Sequence, residues 1–116
     1  MIVCAIDDLM FSIRISTAAK SLQTDVYFER SADKLLDTVR DKRPTLVIFD
    51  LNSVRMRPLE ALAQLKGDPE LAAIRTLGYV AHADSATIDA ARGAGIDQVL
   101  ARSAFVNQLG SILTSG

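Results

Sequence analysis

Cysteine occurs once, at Cys4, so no disulfide can form within the chain and no cysteine-rich metal site can be built. It falls in an apolar run, where a buried and inert thiol is the expectation. Histidine is as scarce: His82 stands alone, in a loop after a strand, where a polar loop residue is commoner than a catalytic one. No Ser-His-Asp or Cys-His arrangement for nucleophilic catalysis is visible. No apolar run approaches the roughly 18 residues a bilayer span requires. No signal peptide precedes the first strand, so the expected compartment is cytoplasmic, without a membrane role. Charge of neither sign prevails: 13 Lys and Arg stand against 14 Asp and Glu, for a net charge of −1. The basic residues are scattered, which leaves no long-range pull toward nucleic acid. Internal repeats, low-complexity tracts and linkers are absent.

The chain has an ordinary globular balance, with 49% hydrophobic and 23% charged residues over 116 positions. That excludes disorder as the main reading and suits one domain, residues 1–116, around a single core. The most informative stretch is Thr45 to Leu51, TLVIFDL. Its unbroken apolar run, Leu46 to Phe49, predicts a strand buried on both faces, as at the centre of a parallel sheet. Asp50 follows, at the place where an open α/β sheet presents its ligand-binding groups.

Strand and helix patterns alternate along the rest. Met1 to Ile6 predicts a buried strand ending at Asp7-Asp8, and Phe11, Ile15, Ala18, Ala19 and Leu22 then recur at helical spacing. Asp25 to Arg30 predicts a short strand near an edge, with Val26 and Phe28 on one side. Ser31 is placed to cap a helix through Leu35, Leu36 and Val39. A loop after Asp50 leads to Pro58 at a first helical position, with Leu59, Leu62 and Leu65 as the apolar stripe and Gly67-Asp68-Pro69 as the stop. Thr76 to Ala81 predicts the fourth strand. Asp84 or Ser85 caps a helix closed by Gly93-Ala94-Gly95. Asp97 to Ala101 predicts the fifth strand, and Ser103 caps a last helix with Phe105, Leu109 and Leu113. Tyr79, Met10 and Met56 read as packing or rim residues. Five alternations with short connections predict an α/β, flavodoxin-like, doubly wound parallel sheet with five helices. Right-handed crossovers favour the strand order 2-1-3-4-5.

In that order strands one and three are neighbours, about 4.8 Å apart. Their carboxyl ends bring Asp7, Asp8 and Asp50 into one crevice at the topological switch point. Such a cluster is costly unless a cation compensates it or one member protonates. Oxygen-only ligands on a loop-lined edge suit Mg²⁺, which keeps several waters. Of the pair, Asp8 reads as the better ligand. A carboxylate nucleophile beside Mg²⁺ and a phosphate is the arrangement for an aspartyl-phosphate.

Over essentially its whole length the chain resembles a response-regulator receiver domain. The residues that carry this are Asp7-Asp8, Asp50, and GIDQVLARSAF from Gly95 to Phe105, which is similar to the family's G-A-D-D-Y-L-T-K-P-F. The resemblance implies that Asp50 accepts a phosphoryl group from a histidine kinase or a small phosphodonor. It implies Mg²⁺ held by Asp7, Asp8, Asp50 and the backbone carbonyl of Asn52. Arg102 matches the family's lysine as the cation of the active edge, and no enzymatic activity is implied beyond autocatalytic phosphoryl acceptance. An effector, or a second copy in a homodimer, would dock on helix four, strand five and helix five, roughly Ser85 to Leu113, a stretch rich in apolar residues and alanine.

Three departures from the family stand out. Val80 or Ala81 occupies the place of a Thr or Ser at the end of strand four, and Val99 that of an aromatic on strand five. Arg102-Ser103 replaces Lys-Pro; Arg keeps the charge, in a planar fork and not as a point. A cis bond without proline would cost ~3 kcal/mol, so trans is expected there. With neither hydroxyl nor ring at those positions, phosphorylation has fewer contacts through which to bias a conformational equilibrium. A further possibility is a permanent Arg102–Asp50 pair that replaces Mg²⁺. The alternative function is therefore a pseudo-receiver, a protein-binding module that needs no phosphoryl chemistry. A flavin or nucleotide binder on the same fold is disfavoured, because Asp7 to Phe11 lacks the Gly, Ser and Thr that cradle a phosphate.

Overall fold

Four consecutive apolar side chains can be buried together only where both faces of a sheet are covered, and this places strand β3 (Leu46–Asp50) at the centre. The computed structural model describes residues 1–81 and 84–115. Strand β1 (Ile2–Ala5), buried throughout, pairs with one side of β3, and β4 (Arg75–Val80) with the other. Strands β2 (Val26–Phe28) and β5 (Gln98–Ala101) form the edges of an all-parallel sheet of order β2-β1-β3-β4-β5. Fold class and strand order are those the alternating pattern predicts.

Alternation along the strands divides the core into two layers. Val3, Ala5, Val47 and Phe49 pack with Leu35 and Val39 of α2 (Leu35–Lys42) and Leu62 and Leu65 of α3 (Pro58–Gly67). Ile2, Cys4, Ile6, Leu46 and Ile48 pack with Phe11 and Ile15 of α1 (Leu9–Ser21) and with Phe105 and Leu109 near the C-terminus. Each large apolar side chain so buried contributes roughly 1.5–3 kcal/mol. Helix α4 (Ser85–Gly93) adds Ala91 to the first layer. Gly78 of β4 is required by contact: a Cβ there would lie 2.7 Å from the Leu51 side chain and 2.8 Å from that of Ile96.

The caps differ from the expectation in two places. Ser31 makes no side-chain cap; its amide donates to Glu29 Oε2 at 3.2 Å, and a 3-10 turn (Ala32–Lys34) leads into α2. The helix after β5 opens at Arg102 behind Ala101, so Ser103 lies inside it and caps nothing. That helix also breaks at Gln108, giving α5 (Arg102–Asn107) and α6 (Leu109–Ser115), so that the described residues form six α-helices, the expected fifth being split in two. Gly110, weak in a helix interior, sits in the first turn after the break. Asp84 caps α4, accepting from the Ala86 amide at 3.0 Å. Met56 and Tyr79 are core residues, whereas Met10 is 78% exposed. Among the described residues no helix is long and apolar enough to cross a membrane.

Candidate functional site

Parallel register sets the geometry of the acidic edge. Ala5 pairs with Phe49, so the chain beyond β1 runs out beside Asp50, and Asp7 and Asp8 follow at once. On the other side Asp50 pairs with Tyr79 of β4.

Each acid has its own local partners. Asp7 Oδ1 accepts the Ser53 hydroxyl at 2.7 Å, and Ser53 Oγ in turn accepts the Met56 amide at 3.2 Å. Since Met56 is fully buried, this chain of bonds ties Asp7 to a fixed point in the β3–α3 loop. Asp50 Oδ1 accepts the Asn52 amide at 3.0 Å, while the Asn52 side-chain oxygen accepts the Ala81 amide at 2.6 Å. Asp8 Oδ1 caps α1 through the Phe11 amide at 3.0 Å, and its Oδ2 lies 3.4 Å from Arg102 Nη2. The guanidinium rests on the Phe11 ring, with Cζ 4.2 Å from the centroid.

Arg102 thus pairs with Asp8, and the permanent Arg102–Asp50 pair considered from the sequence is not formed. The reason is local: capping turns Asp8 back over the first turn of α1, where Phe11 already holds the guanidinium. Both groups are more than a third exposed, so the pair is worth about 0–1 kcal/mol. The Arg102–Ser103 peptide is trans, as expected without proline.

Burial holds the Asp50 carboxyl above its ordinary range; the Asn52 amide draws it back, Asp7 and Asp8 push it further up, and Arg102 opposes them. Asp50 therefore shares an electrostatic neighbourhood with both other acids and with the cation. Cys4, by contrast, is a sealed thiol that burial pushes up to about 12.

Among the described residues no three His, Cys, Asp or Glu side chains are gathered into a metal cage. The donors at the edge are all hard oxygens. Within the described residues the second oxygens of Asp7 and Asp50 accept no hydrogen bond, which fits a cation that keeps most of its waters. Both oxygens of Asp8, favoured from the sequence as the better ligand, are already engaged.

Ser53 was missed in the sequence, where a serine three residues past a strand-end acid looks like any loop residue. Also unsignalled was the Tyr79 hydroxyl, which is buried and has no hydrogen-bond partner among the described residues. The departing positions Val80 and Val99 line a mainly apolar hollow of about 330 Å³ with Ala81, Ile88, Leu100 and Ala101, and Arg92, Arg102 and Ser103 also line it. His82 lies outside the described residues.

No family model matches this sequence, and no curated protein does. Among solved structures, the fold is similar to a response regulator from Hahella chejuensis, with a TM-score of 0.86 at 13% identity over 97% of this chain and 91% of that one. It is similar to the Mn²⁺-bound form of response regulator Rcp1, with a TM-score of 0.80 at 17% identity over 96% and 89%. The phosphorylated cyanobacterial phytochrome response regulator RcpA gives a TM-score of 0.78 at 22% identity over 98% and 89%. The likeness shows the fold: this chain is built as response-regulator receiver domains are.

Proposed function

We propose that the chain is a signalling receiver whose Asp50 accepts a phosphoryl group, from a histidine kinase or a small phosphodonor. The observation that carries this reading is the strand-end Asp50: the Asn52 amide fixes one oxygen, the other accepts no hydrogen bond among the described residues, and Asp7 is close enough to act on its charge. The open oxygen attacks phosphorus; an O–P bond forms as the bond to the donor breaks, and the leaving group departs with the electron pair. Asp7, Asp50 and the Asn52 carbonyl would hold Mg²⁺, joined by Asp8 if it releases Arg102. Bound there, Mg²⁺ supplies positive charge against the phosphoryl oxygens. Arg102, fixed on Phe11, adds a cation at the same edge. Ser53 keeps Asp7 turned toward the site.

In this reading the chain is a cytoplasmic single domain with no catalytic turnover of its own. Its effector, or a second copy, docks on α4, β5 and α5, where Val80, Ile88 and Val99 border the apolar hollow. A second reading, the phosphorylation-independent binding module, is favoured by one observation: Asp8 already carries a built-in counter-ion in Arg102.

Incubation with acetyl phosphate separates the two. The receiver reading predicts a Mg²⁺-dependent mass gain of one phosphoryl group that is lost in Asp50→Asn. No gain with acetyl phosphate or phosphoramidate leaves the binding module.

A further inference from the structure

Tyr79 is 1% exposed, and its hydroxyl is the buried side-chain polar atom without a hydrogen-bond partner among the described residues. Buried hydroxyls are almost always paired, so an orphan calls for a reason. Its position supplies one. Tyr79 is the register partner of Asp50 on the next strand, and side-chain alternation puts both on the sheet face covered by α1 and α5. The ring is tilted against Phe11 at 4.8 Å and Phe105 at 4.9 Å, and Arg102 lies on Phe11. Asp50, Asp8 and Arg102 are all close enough to act on the phenol, which an ordinary pKa of about 10 keeps protonated at neutral pH. A phenol that stays protonated beside an acidic edge serves an anion there as a hydrogen-bond donor.

We propose that the Tyr79 hydroxyl is the donor held for an oxyanion carried on Asp50, and that engaging it shifts the Phe11–Tyr79–Phe105 cluster between α1 and α5. The inference rests on the phosphoryl reading above. A phosphoryl group adds acceptor oxygens at the strand end. The proton stays on Tyr79, and no bond to the phenol is made or broken. One residue then supplies both a hydroxyl and a ring, although Val80 and Val99 supply neither.

Tyr27→Phe leaves Tyr79 as the one tyrosine of the chain, so its emission can be followed during treatment with acetyl phosphate and Mg²⁺ while mass is recorded in parallel. The emission is expected to change in step with the mass gain. Tyr79→Phe should keep the gain, lose the phosphoryl group about tenfold faster, and melt a few degrees higher without phosphodonor because the orphan is removed. A mass gain with unchanged emission and unchanged lifetime overturns this inference and leaves the phosphoryl reading standing. A lower Tm in Tyr79→Phe also overturns it, since the hydroxyl then had a partner. No mass gain removes both.

Discussion

The negative charge on Asp50 works against the folded state, because burial and the neighbouring Asp7 and Asp8 outweigh the Asn52 amide and Arg102. Its folded pKa lies above the unfolded value of about 3.9. The contribution therefore favours folding at low pH and is lost as pH rises through the folded value. Asp50→Asn keeps an oxygen for the Asn52 amide and removes the charge. Its Tm at about pH 7 should exceed that of the parent, and the gap should close toward about pH 4. Melts at the two pH values check this; an equal Tm at neutral pH would mean Arg102 neutralises the site. At this scale the positions of Asp7, Asp8 and Asp50, just past β1 and at the end of β3, were legible because strand-end acids follow directly from apolar runs. The engagement of Asp8 was not, since it depends on Arg102, 94 positions away, settling on Phe11.

Among the elements, α3 packs on the sheet through Leu62 and Leu65, and one side chain also ties it to the segments that enter β4 and β5. Lys66 Nζ donates to the carbonyls of Ala72 at 3.2 Å and Ile74 at 3.3 Å, and to Asp97 Oδ2 at 3.0 Å. The same Asp97 oxygen accepts the Thr76 amide at 2.8 Å and hydroxyl at 2.9 Å, so the entries to β4 and β5 meet at this point. Burial pushes the Asp97 carboxyl up, but Lys66 and Thr76 together bring it below its usual range. Lys66→Met keeps the stem and removes the charge, and should cost about 1–3 kcal/mol in a urea titration. An unchanged midpoint would make the junction ornamental. Nothing in the sequence announced it, because its members are scattered over 31 positions. Helix ends were legible only where the cap acts on its own turn, as Asp84 does. Ser31 and Ser103 look like equally good caps, yet the Glu29 carboxylate and the early start at Arg102 displaced them.

For the molecule as a whole, the sheet order followed from few facts. Apolar runs bounded by acids or turn residues located the strands, and crossover handedness left little choice of order. Strand pairing then brought the acids to one edge without any side-chain detail. What stayed hidden is how that edge is wired, Ser53 to Asp7 and Asn52 to Ala81, and that Tyr79 is the register neighbour of Asp50, all of which exist only after the strands align.

Under the receiver reading this edge, and not the acidic surface in general, takes the cation. Mn²⁺, a hard-oxygen cation like Mg²⁺, broadens nearby amide resonances and can be titrated into the uniformly labelled full chain. Broadening should centre on Asp7, Asp8, Asp50, Asn52 and Arg102 and be lost in Asp50→Asn. Broadening that spreads instead over exposed acids such as Asp33 and Asp37, or that persists in Asp50→Asn, would contradict the account.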